Sequence, residues 1–232
     1  MSNELQKKVK LQTGTNLGAL RARAVAEVKK INPLTVPNRY VISFDTSGSM
    51  STKDINDAKA GVNAFLDSCS PLDTSVSIVT LSCTNINEET DFKQTDFLCD
   101  YDAIRAFVHT LTNDGGTPLY RQLYEVLQKE TATRIVVFSD GEPTDPITNL
   151  FDNVKTEEEC FKCPYVPIDT IHIGGNHTNN ALKHISHMSG GSYYTFENAA
   201  MLRKQLKYLS PRFQLQLTNP EVRARLERGE TL

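Results

Sequence analysis

Residues Asp45-Thr46-Ser47-Gly48-Ser49 set one carboxylate and two serine hydroxyls at alternate positions, so a single tight turn can aim three oxygens at one point. Hard divalent cations take such oxygen ligands in near-octahedral geometry, at about 2.0–2.1 Å for Mg²⁺. Two further oxygen donors fall at comparable places in the chain. Thr117 lies in Asp114-Gly115-Gly116-Thr117-Pro118, and Asp140 opens the polar turn of Ser139-Asp140-Gly141. The chemistry these types offer is binding of one Mg²⁺ or Mn²⁺ by Asp45, Ser47, Ser49, Thr117 and Asp140.

The surrounding patterns say what must position them. Residues 39–44 (RYVISF) and 134–139 (RIVVFS) are short apolar runs, each ending at an Asp, as buried strands feeding loops do. Residues 75–82 are β-branched and strand-like. Residues 167–173 and 191–196 predict two more strands, and 90–95 a short edge strand. Apolar residues recur at helical spacing in 54–69, 101–111, 118–129, 148–163, 180–188 and 199–209. Pro118 stands where a first helical turn tolerates a missing N–H. Strands alternating with helices predict a doubly wound α/β fold, with a mostly parallel sheet of about six strands covered on both faces. Ligands of such sheets bind beyond the carboxyl ends of the strands, where Asp45 and Asp140 would lie.

DTSGSM, then GGTPL, then a hydrophobic strand ending in SDGEPTD resembles the metal-ion-dependent adhesion site (MIDAS) of von Willebrand factor A domains, over about residues 38–209. The resemblance implies that Ser47 and Ser49 coordinate Mg²⁺ directly and Thr117 directly or through water. Asp45 and Asp140 would hold the ion partly through bound waters. It further implies a binding module without catalytic activity, whose ion takes an Asp or Glu carboxylate from a protein partner. SDGEPTD is also similar to the intracellular bacterial and phage branch, including TerY-type proteins of tellurium-resistance clusters, which implies a stress or defence system.

The resulting organisation is an N-terminal helical extension and linker (1–37), a von Willebrand factor A domain (38–209) and a basic tail (210–232). Charge is uneven along it. Residues 1–39 hold eight Lys/Arg against two acids and residues 203–232 hold seven against three. The middle carries the remaining ten basic and 23 acidic residues. A polyanion is repelled by such a domain, which excludes general nucleic-acid binding by it. No apolar run approaches the roughly 20 residues of a membrane span. The N-terminus lacks the apolar stretch of a secretory signal, and five scattered cysteines do not form a disulfide framework. These features predict a cytoplasmic protein.

Competing chemistries are weaker. A phosphatase of the haloacid-dehalogenase style would use Asp45 as nucleophile, but it wants a carboxylate at the position of Ser47. No GxxxxGK[ST] or GxSxG motif is present. A scaffold with a vestigial site is the structural alternative, and the full ligand set argues against it. Cys160 and Cys163 form a lone CxxC at a helix end. His184 and His187 fit ordinary helix-surface residues, and Glu142, Thr144 and Asp145 fit the rim of the metal loop.

Overall fold

A computed structural model of the protein describes residues 28, 30–81, 93–113, 115–129, 131–141, 143–145, 166–174 and 180–195. The helices expected at 148–163 and 199–209, most of the N-terminal extension, the basic tail, Cys160 and Cys163 lie outside the described residues.

The chain runs β1 (Asn38–Phe44), α1 (Thr52–Ser68), β2 (Thr74–Thr80), α2 (Tyr101–Thr110), α3 (Leu119–Lys129), β3 (Arg134–Ser139), β4 (Ile168–His172), α4 (Asn180–Ser189) and β5 (Tyr193–Thr195). The strands form one five-stranded sheet in the order β2-β1-β3-β4-β5. Every pair in it is parallel. The continuous apolar runs of β1 and β3 are therefore explained: central parallel strands bury both of their faces.

Alternate residues of each strand feed two cores. Tyr40, Ile42, Phe44, Val136 and Phe138 pack with Ile55, Val62 and Phe65 of α1 and Ile104 and Val108 of α2. Val41, Ile135, Val137 and Ile168 pack on the other face with Leu119 and Leu123 of α3 and Leu182 and Ile185 of α4. Helices thus cover both faces, as the doubly wound reading requires. Full burial of a large apolar side chain contributes about 1.5–3 kcal/mol, so these two layers hold the sheet rigid beneath its loops.

The strand order has one consequence for function. The chain steps outward from β1 to β2, then crosses back to place β3 on the other side of β1. The connections leaving β1 and β3 consequently diverge, and the crevice between them is where open parallel sheets receive ligands.

Of the expected sixth strand at 90–95, only residues 93–95 are described. Among the described residues, Gln94 and Leu98 make isolated antiparallel bridges to Val79 and Val76 on the outer edge of β2. Backbone bonds join Val76 with Leu98, Thr80 with Lys93 and Thr95 with Ile78, and hydroxyls fill in between them. The Ile78 N–H donates to Thr95 Oγ1 at 3.0 Å, and the Lys93 N–H donates to Thr80 Oγ1 at 3.0 Å.

Candidate metal centre

The loop after β1 is held in a tight turn by its own side chains. The Ser47 N–H donates to Asp45 Oδ1 at 2.8 Å, and the Met50 N–H donates to the Ser47 carbonyl at 3.1 Å. Met50 is fully buried and anchors the far end of the turn. Ser51 then caps α1 through a capping box with Asp54, which fixes where the loop stops and the helix starts. Within the turn, Ser47 Oγ and Ser49 Oγ stand 3.0 Å apart. That spacing is close to the edge between adjacent ligands of a small octahedral ion with bonds of about 2.1 Å.

Backbone bonds stitch the other two loops onto this turn. The Gly48 N–H donates to the Gly115 carbonyl at 2.8 Å, and the Thr144 N–H donates to the Thr117 carbonyl at 2.9 Å. The Asp45 N–H donates to the Phe138 carbonyl of β3 at 2.8 Å. Gly115 (φ 68°) and Gly141 (φ 82°) supply the left-handed turns in these loops, a conformation that a side chain would oppose. The structure therefore brings the three predicted segments, 45–49, 117 and 140, to one end of the sheet, at the mouth of the crevice.

Asp45 is fully buried, Ser47, Thr117 and Asp140 are nearly so, and Ser49 is exposed. The groups acting on the Asp45 carboxylate are the hydroxyl of Ser139, which donates to Oδ2, and the side chain and amide of Ser47. The nearby charge is Asp140, of the same sign. Burial pushes the Asp45 carboxyl up to about 6, against the hydrogen bonds from Ser139 and Ser47 that lower it, and Asp140 adds a smaller upward push. Desolvation and like-charge repulsion both oppose an ionised carboxylate.

This donor set fits a hard divalent cation. Two carboxylates beside one another under burial are reconciled by a cation, and three hydroxyls supply neutral oxygens around it. Among the described residues, no group of three or more His, Cys, Asp or Glu side chains could hold an ion, so a site here would depend on the hydroxyls that stand with the two carboxylates. His184 and His187 are exposed on α4, in line with surface residues.

The structure corrects the reading of Asp145. It is not on the rim but 3% exposed, and its carboxylate accepts the backbone N–H of Arg121 at 2.8 Å and of Tyr120 at 3.4 Å. Burial raises its pKa above the ordinary carboxylate value, against the α3 amides that lower it. Thr144 is exposed beside the site, while Glu142 and Asp114 lie outside the described residues. Ser139 was legible only as the last residue of a strand. Its role emerges from the fold, where it supports Asp45 and takes the Gly141 N–H at 2.9 Å.

The von Willebrand factor type A domain family matches residues 38–195. The chain belongs to that family. Solved structures agree on the fold. The domain matches an aerotolerance-related membrane protein from Bacteroides fragilis (TM-score 0.56, 14% identity, 73% of this chain and 96% of that one). It also matches a von Willebrand factor type A protein from Catenulispora acidiphila (TM-score 0.56, 18% identity, 75% and 42%). A third is the pilus adhesin SpaC from Lactobacillus rhamnosus GG in its open conformation (TM-score 0.55, 15% identity, 75% and 30%). The chain thus spans less than half of the last two proteins. Among curated proteins none matches the sequence. Von Willebrand factor A domains commonly mediate protein–protein interaction or adhesion. Among the described residues no helix is long and apolar enough to cross a membrane.

Proposed function

We propose that this domain is a non-catalytic binding module whose Asp45, Ser47, Ser49, Thr117 and Asp140 form a metal-ion-dependent adhesion site for one Mg²⁺ or Mn²⁺. The observation that carries the reading is the environment of Asp45. It is a fully buried carboxylate held by hydroxyl and amide donors, with a second carboxylate, Asp140, as the charge beside it.

Each residue has a definite task. The Ser47 amide and the Ser139 hydroxyl orient the two oxygens of Asp45. Ser47 and Ser49 offer neutral oxygens, which leave most of an ion's charge uncompensated. Exposed Ser49 and Thr144 border the entrance from solvent. The bound ion supplies one thing, a positive coordination position for an Asp or Glu carboxylate of a protein partner. The buried surroundings strengthen such an interaction because water screens it less. The acidic balance of the domain opposes an acidic partner in the metal's absence, so electrostatics make recognition conditional.

The likeness of SDGEPTD to the TerY-type branch supports a place in a bacterial or phage stress or defence system. The free thiols of Cys69 and Cys99 are in keeping with a reducing cytoplasm. The test is co-purification of partners from native lysate in Mg²⁺ and in EDTA, using wild type and Asp45→Ala. Chelation and the substitution are expected to release the same protein. A partner retained in both conditions would place the interface elsewhere, on the basic terminal segments.

A further inference from the structure

Asp145 stands 25 residues beyond Tyr120, yet it serves the start of α3. The first N–H groups of a helix have no partner inside it and are ordinarily capped by a side chain just before them. Pro118 occupies that place, since its carbonyl accepts the Gln122 N–H at 3.0 Å, and its ring offers no capping oxygen; Thr117 lies one residue earlier. The amides of Tyr120 and Arg121 go to the two oxygens of Asp145 instead. The cap that Pro118 cannot supply therefore comes from Asp145.

Two more contacts make the junction stiff. The Thr144 N–H donates to the Thr117 carbonyl at 2.9 Å, and the Leu119 N–H donates to the same carbonyl at 2.8 Å. Within the first turn of α3, fully buried Gln122 accepts from Ser43 Oγ and donates from Nε2 to the Thr80 carbonyl. The helix is therefore pinned to β1 and β2 by Gln122 and to the loop after β3 by Asp145. Thr117 lies two residues before that helix and is tied to its first residue through the Leu119 N–H, and Asp140 lies on that loop.

We propose that Asp145 is a positioning residue of the metal centre, which caps α3 from the β3 loop and so fixes the Thr117 hydroxyl relative to Asp140. This rests on the metal reading above. Residues that orient metal ligands without touching the ion typically cost 10–100-fold in affinity when removed. Coupling is reciprocal: if the cap favours the metal, the metal favours the cap.

The experiment is a calorimetric Mn²⁺ titration of the full chain as wild type, Asp145→Ala, Asp145→Asn and Val126→Ala, with melting temperatures in EDTA. Val126 is buried in α3 away from both loops, so its truncation lowers stability without disturbing the junction. Asp145→Ala is expected to weaken Mn²⁺ binding by about 10–100-fold. Asp145→Asn, which keeps an acceptor oxygen for α3, restores most of it, and Val126→Ala leaves affinity unchanged while lowering the melting temperature. Amide exchange at Tyr120 and Arg121 slows on Mn²⁺ addition in wild type only. Wild-type affinity in Asp145→Ala overturns the proposal, as does an equal loss in Val126→Ala, which would show that affinity merely follows stability. A wild type that binds no Mn²⁺ overturns the metal reading itself. If Asp145→Ala does not fold, Asp145→Ser, a shorter cap, is read the same way: weakened binding supports the proposal and unchanged binding overturns it.

Discussion

Asp45 and Asp169 are both fully buried carboxylates on the same sheet, one just past the end of β1 and the other near the start of β4. Asp169 is closed off. Both of its oxygens accept from the Arg134 guanidinium, Nη2 at 2.9 Å from Oδ1, and Oδ1 also takes the Ser192 N–H at 2.8 Å. Although burial opposes it, the hydrogen bond and charge of Asp169 raise the Arg134 pKa above its ordinary value. Asp45 has hydroxyl and amide partners and another carboxylate nearby. A buried charge demands compensation. At Asp169 a side chain from the neighbouring strand supplies it within the fold. At Asp45, on the function proposed here, an external cation would supply it, which would be the difference between a structural ion pair and a binding site.

The largest expected effect tests the closed site. Arg134→Met leaves Asp169 as an uncompensated buried charge and should destabilise the protein by about 3–5 kcal/mol in denaturant unfolding. The double variant Arg134→Met/Asp169→Leu should recover much of that loss. A small effect from Arg134→Met alone would mean that Asp169 does not need its partner, and the contrast with Asp45 would collapse.

Next comes the pH dependence of the metal-free protein. The folded-state Asp45 carboxyl titrates near 6, above its unfolded value of about 3.9. Between these values the folded state binds more protons than the unfolded, so Asp45 makes stability fall as pH rises from 4 through 6. The contribution is on the order of 2–3 kcal/mol, fully present below the unfolded pKa and lost above the folded one. In EDTA, Asp45→Asn should flatten this part of the pH profile and be no less stable than wild type at pH 7. An unchanged profile in the variant would remove Asp45 as its source.

A smaller change is expected from Ser139→Ala. It deletes the donor to Asp45 Oδ2 and the acceptor of the Gly141 N–H. An unpaired buried group costs about 1–3 kcal/mol, measurable by thermal unfolding in EDTA. A loss confined to the metal-bound state would contradict the view that Ser139 supports the loop before any ion arrives.

The tight turn after β1 was legible from sequence because its chemistry is local. Asp45, Ser47 and Ser49 sit at alternate positions in one turn, and the strands beneath Asp45 and Asp140 are unbroken apolar runs. The alternation of strands and helices was legible for the same reason. What stayed hidden is long-range. Asp145 reads as a polar turn residue until the fold sets it over α3, and Arg134 and Asp169 carry no mark of their pairing across β3 and β4. Gln122 reads as a polar residue on an amphipathic helix, whereas it is fully buried against β1 and β2. Of the expected edge strand at 90–95, only 93–95 are described, and there backbone bonds to β2 alternate with bonds to the hydroxyls of Thr80 and Thr95, a competition that β-propensity does not express.

The most direct test of the central claim is a calorimetric Mn²⁺ titration of wild type against the Ser47→Ala/Ser49→Ala double variant. These substitutions remove two neutral oxygens and leave the buried strand beneath them untouched. Wild type should bind one ion per chain, and the double variant should bind at least about tenfold more weakly, with a similar melting temperature in EDTA. Equal affinity in the two proteins would contradict the account, because the ion would then be held by residues other than those that β1, α3 and β3 bring together.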